Sequence, residues 1–148
     1  MSQDHVSPNA QASVFTGGCL CGQVRYSART QRVSAMVCHC RACQKQSGSA
    51  FSVILAVPRA DLHWQGEMHT HAQQADSGRT VHRRFCPDCG SPLVTESPDR
   101  PTMAFVKAGT LDEPARFQPA LHLWCEHKQP WVTVPDGVPC MATQPASA

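Results

Sequence analysis

The chain has 148 residues, with 13 Lys plus Arg against 11 Asp plus Glu and a formal charge of +2. That length suits one domain able to bury roughly 70% of its unfolded surface. The balanced charge argues against the strongly basic face of a dedicated nucleic-acid binder, and no run of about 20 apolar residues is present to span a bilayer.

The segment 1-MSQDHVSPNAQAS-13 is polar and lacks the charged start and apolar core of a signal peptide, so a cytoplasmic protein is expected. Residues 1–13 and 142–148 read as flexible tails around a single domain at 14–141. Strand alternation marks 23-QVRYSA-28, where Val24 and Tyr26 alternate with Arg25 and Ser27. The helix signal is short: 41-RACQKQSG-48 allows a turn or two before Gly48 stops it. A continuous apolar run, 52-SVILAV-57, reads as a strand buried on both faces, ended by Pro58. Further strands are expected at 67–73, 79–85, 102–109, 120–127 and 131–134. In the fourth of these, Leu121, Leu123 and Cys125 share one parity. With 12 prolines and no long helical period, the class is mainly β.

Nine cysteines carry the chemical information, and seven fall in three groups: Cys19 and Cys21; Cys38, Cys40 and Cys43; Cys86 and Cys89. Grouped thiols in a reducing compartment point to metal or catalysis rather than to disulfides. An extended C-x-C turns both side chains to one side, and the proline and glycine of 86-CPDCG-90 allow the tight knuckle of a zinc ribbon. Since zinc takes four ligands, the seven divide simply as four plus three. Cys19, Cys21, Cys86 and Cys89 then close a structural site, and Cys38, Cys40 and Cys43 leave one position open for water or substrate. Spacing alone also permits Cys40, Cys43, Cys86 and Cys89 as one ribbon, with the other three left over. Iron–sulfur ligation is a further alternative for thiolates.

Together, 17-GGCLCGQVRY-26, 38-CHCRACQKQSGSAF-51, 85-FCPDCGSPL-93 and 122-HLWCEHKQPWVTV-134 resemble the glutathione-dependent formaldehyde-activating enzyme family, the CENP-V/GFA domain. The resemblance spans about residues 15–141. It implies an Mss4-like β-tent, small antiparallel sheets organised around zinc, with two zinc ions per chain divided over the cysteines as above. It also implies a carbon–sulfur lyase that joins formaldehyde to glutathione, with a small thiol as partner; the charge and the lack of a spanning segment lead to no expected nucleic-acid or membrane partner.

A three-thiolate zinc is anionic, so nearby cations are expected, and Arg41, Lys45, Arg83 and Arg84 are candidates. Ser47 and Gly48 join Arg41 and Lys45 as possible substrate contacts. His39 is expected to point away from its two cysteine neighbours, His69 and His71 to be exposed strand residues, and His122 to be structural. Cys125 is expected as a small buried side chain and Cys140 as a free thiol. Two other functions fit the same residues: a zinc module for protein or nucleic-acid contacts, and a thiol or oxidation sensor.

Overall fold

The computed structural model describes residues 12–144, so most of both expected tails lies outside the described residues. Among the described residues ten strands form two sheets, with one short α-helix. The smaller sheet runs β1 (Ser13–Gly18), β2 (Arg25–Thr30) and β5 (Leu62–Gln65), all antiparallel. In β2 the burial alternates strictly, with Tyr26, Ala28 and Thr30 inward. Gly17 lies against Tyr26: a Cβ there would sit 2.2 Å from the tyrosine hydroxyl, which itself meets Thr110 Oγ1 at 2.7 Å. Glycine is required there for the close approach of the chains.

The larger sheet has the order β10 (His122–Leu123), β3 (Ser34–Cys38), β4 (Ser52–Pro58), β9 (Met103–Lys107), β8 (Pro92–Glu96), β7 (Thr80–Phe85) and β6 (His69–Gln74). Every pair is antiparallel except β10 with β3. The mainly β class and layered sheets match the expected β fold, and the run 52–57 becomes β4, paired on both sides. Between β3 and β4 lies α1 (Arg41–Ser47), capped by Gly48 in the left-handed region at φ 66.

Register divides the larger sheet into two faces with different jobs. Leu55, Val106 and Val94 lie side by side across β4, β9 and β8, and they pack with Phe15, Val24, Tyr26 and Leu62 of the smaller sheet in one core. Each such side chain contributes about 1.5–3 kcal/mol by leaving water. The opposite face carries Cys38 beside Ser52, Met36 beside Ile54 and Lys107, and Phe105 beside Thr95 and Arg83.

Two expectations near the end of the chain are corrected. The strand at 120–127 keeps only His122 and Leu123, because Trp124 takes a left-handed backbone (φ 57) and Cys125–His127 forms a 3-10 turn. The segment 131–134 is not a strand. The chain instead returns beside β10: Trp124, Cys125 and Glu126 donate backbone bonds to Thr143, Met141 and Ala142. This return joins Cys125 to Cys140 in a disulfide, which corrects the readings of a lone buried cysteine and a free thiol. Among the described residues no helix is long and apolar enough to cross a membrane.

Candidate metal centre

Cys19 and Cys21 sit in a turn rather than an extended strand. Gly22 N–H bonds back to Cys19 O at 3.1 Å, and Gly22 supplies the positive φ of 81. The expected extended geometry for this C-x-C is therefore replaced by a knuckle, in which Val24 N–H points at Cys19 Sγ at 3.2 Å. A second knuckle forms at 86–90, where Gly90 N–H reaches Cys86 O at 2.9 Å. Ser91 joins the two: its hydroxyl lies 3.2 Å from Cys89 Sγ and accepts from Leu20 N–H at 3.0 Å. The Ser91 hydroxyl and backbone pull the Cys89 thiol down to about 5.

The four sulfurs lie within 4.8 Å of one another. Cys21 Sγ is 3.6 Å from Cys19 Sγ and 3.7 Å from Cys86 Sγ. Zinc with sulfur at about 2.3 Å in a tetrahedron separates its ligands by about 3.8 Å, so this donor set fits the ion. Cys19 and Cys86 also belong to the hydrophobic core, with Cys86 fully buried. This cluster therefore pins the loop after β1 to the loop after β7.

Cys38, Cys40 and Cys43 come together by a different route. Cys38 ends β3, and Cys40 is the extended N-cap of α1 (φ −61, ψ 153), accepting from Cys43 N–H at 3.3 Å. His39 between them turns the other way, fully buried, with Nε2 at 2.8 Å from His122 Nδ1. Gln44, next to Cys43, donates to His39 O at 2.7 Å and His127 O at 3.0 Å, tying α1 to the C-terminal segment. All three sulfurs are buried within 4.8 Å of one another, and among the described residues no fourth His, Cys, Asp or Glu joins them.

Contact with Cys38 and Cys40 pulls the Cys43 thiol down to about 2, helped by Lys107 and Arg83, while the same contacts push Cys38 up. The cluster thus holds negative charge but cannot hold three charges unaided. A bound dication resolves that conflict, which is why the donor set fits zinc.

These sulfurs line a cavity of about 380 Å³, within the usual range for small-molecule sites. Its wall includes Met36, Ile54, Phe105, Leu123 and Trp124, with Arg79, Arg83, Arg100 and Lys107 as cations, of which Arg83 and Lys107 are buried. Burial pulls the Lys107 ammonium below the usual lysine range.

The sequence-expected cations separate by strand parity. Arg83 faces the cavity, whereas Arg84 turns to the other face, stacks over Trp64 at 4.6 Å and meets Glu96 at 3.7 Å. Arg41 and Lys45 line a neighbouring hollow of about 490 Å³ that also touches Arg83. Ser47 bonds back to Gln44 O and Phe51 O, and Gly48 caps the helix; neither lines either hollow. His69 and His71 are exposed on β6. Sequence reasoning missed Lys107, Ser52, Trp124 and Ser91. The one available signal was Lys107, a lone cation closing the apolar run 103-MAFV-106.

The comparisons with known proteins bear on the fold and the family. No curated protein matches the chain. A solved structure of a Rhodobacter sphaeroides protein, a structural-genomics target, matches with a TM-score of 0.52 at 17% identity, covering 66% of this chain and 87% of that one; that likeness shows the fold. The family model described as glutathione-dependent formaldehyde-activating enzyme matches residues 14–127. Carrying that family's signature through nearly all its folded length, the chain belongs to the glutathione-dependent formaldehyde-activating enzyme family.

Proposed function

We propose that the domain at 14–141 is a zinc-dependent carbon–sulfur lyase of this family. It adds a small thiol such as glutathione to formaldehyde or a similar electrophile, or runs the reverse reaction, with the cytoplasm as its expected place of work. The observation that carries this reading is a three-sulfur cluster lining a cavity that no fourth cysteine closes. Zinc held by Cys38, Cys40 and Cys43 would supply a Lewis-acid position that favours the thiolate form of a substrate thiol. The chain's own residues do the rest. Lys107 offsets the negative charge gathered at the sulfurs, and the wall of Met36, Ile54 and Trp124 limits water around them.

In the synthetic direction the substrate sulfur forms a bond to the carbonyl carbon. The carbonyl π bond breaks, and its oxygen takes up the proton that the thiol gave up, so the product is a hydroxymethyl thioether. The four-cysteine site takes no part and holds a second, structural zinc.

Metal analysis combined with X-ray absorption, with and without glutathione, tests this. Two zinc ions per chain are expected, one of which gains a sulfur ligand when glutathione is added. One metal per chain, or two closed sites indifferent to thiol, overturns the reading in favour of a non-catalytic zinc module.

A further inference from the structure

The sheet face that carries Cys38 also carries two buried cations, and neither has a carboxylate partner among the described residues. Lys107 is 6% exposed, and its ammonium donates to Ser52 Oγ at 3.1 Å. Arg83 is 5% exposed, its Nε is buried without a partner, and its side chain forms no ion pair among the described residues. Thr95, its register neighbour on β8, likewise has a buried hydroxyl with nothing to bond. Asp76 is a carboxylate on the same wall, but it is exposed and forms no ion pair with Arg83 or Lys107. A guanidinium withdrawn from water without a counter-ion is costly, and a fold that keeps one beside a cavity has a binding use for it.

The two cations differ in reach. Lys107 follows Ile54 and Met36 in register toward the strand that ends at Cys38 and is held by Ser52, whereas Arg83 lies two strands further along the face beside Thr95. A zinc ion with three thiolates has a net charge of −1, which one cation at Lys107 balances. Arg83 and the Thr95 hydroxyl remain, a planar fork and a donor suited to a carboxylate. The wall shared with them is apolar at Met36, Ile54, Phe105 and Trp124 and carries Arg79 and Arg100 as further cations, a lining that suits an anionic ligand with an apolar body. A one-carbon electrophile fills little of a chamber of about 380 Å³.

We propose that this cavity takes an organic carboxylate with an apolar body, anchored by Arg83 and Thr95, and that such a molecule is the thiol or thiol adduct presented to the three-cysteine site. The inference rests on reading the cavity as that site's substrate chamber.

The test uses the zinc-loaded full chain and two thiol-free probes of the same shape, 3-phenylpropanoate and the uncharged 3-phenylpropanamide, with binding followed by calorimetry. The carboxylate is expected to bind at least tenfold tighter. Arg83→Gln is expected to bring the two within threefold, while Arg84→Gln, on the other face, keeps the preference. Equal binding of the probes to the unaltered chain, or no binding of either at millimolar concentration, overturns the proposal without recourse to any variant. A preference that survives in a folded Arg83→Gln chain overturns the anchor. Benzyl mercaptan added to the cobalt-substituted protein reports the open metal position separately. If its spectrum responds but carboxylate preference is absent, this inference alone fails. If preference is present and the spectrum is inert, the carboxylate pocket stands and the lyase reading fails.

Discussion

The two cysteine clusters use the same side chain on opposite faces of one sheet. Cys19 and Cys86 are part of the hydrophobic core between the sheets, and their sulfurs meet two more from turns at strand ends. Cys38, Cys40 and Cys43 stand on the far face, against Trp124 and a cavity with cations in its wall. A fourth ligand and a place in the core make the first a fastener. The second has three buried ligands in a cavity wall outside that core, the arrangement on which the proposed open site rests. Position in the fold, not the identity of the ligand, separates the two roles.

The largest effect should come from breaking the fastener. Cys86→Ser removes a fully buried ligand, and a structural zinc contributes on the order of 10 kcal/mol to folding. Loss of the cooperative thermal transition, seen by circular dichroism, is the expected result. A folded variant that still binds two metals would make this cluster dispensable. Cys40→Ser should behave differently: one metal equivalent and all activity lost, the transition kept within a few degrees. Retention of both metals there would count against the open-site assignment.

A smaller effect is expected at the disulfide. Cys125 and Cys140 close a loop with a sequence separation of 15, for which chain entropy gives about 3 kcal/mol. Changing both to Ser should lower the denaturation midpoint accordingly, with the four-cysteine metal retained; an unchanged midpoint would show that the backbone bonds of 139–143 hold this segment by themselves.

The smallest effect concerns Asp112, whose contacts with Arg25 and Thr16 brace the hairpin that bears Cys19 and Cys21. Arg25 first and Thr16 next lower its carboxyl from 3.8 to about 2. The carboxylate is favoured in the folded state, so its stabilisation is present above pH 3.8 and disappears as the pH falls through about 2. Asp112→Asn should lower stability modestly at neutral pH, where the carboxylate's contribution is fully present, and converge on the unaltered chain below about pH 2, so that its acid limb is flatter over that window. An acid limb identical to that of the unaltered chain would remove Asp112 from the account.

The cysteine groups were legible because knuckles are local: two ligands, a proline and a glycine within five residues announce themselves. Strand β4 was legible for the same reason, as an apolar run ended by Pro58. Strands β1, β3, β5 and β8 were not read. Ser34–Cys38 and Pro92–Glu96 are five residues each, too short for a period to emerge. The role of Lys107 depends on register across β4 and β9, and the Cys125–Cys140 bond on a chain reversal. Neither leaves a mark in nearby sequence. Arg83 and Arg84 show the middle case: parity guarantees that they part company, but only the assembled sheet says which one enters the cavity.

The disulfide also bears on how this protein is handled. Cys140 is exposed, so the bridge lies open to attack by an external thiolate. The proposed substrate is itself a thiol, and at millimolar concentration it is also a reductant. A progress curve with glutathione would then contain two events: turnover at the metal, and slow exchange at a bond that anchors the segment next to Trp124. Pre-incubation with thiol before adding the aldehyde separates them, and a phosphine reductant offers the second event without the first.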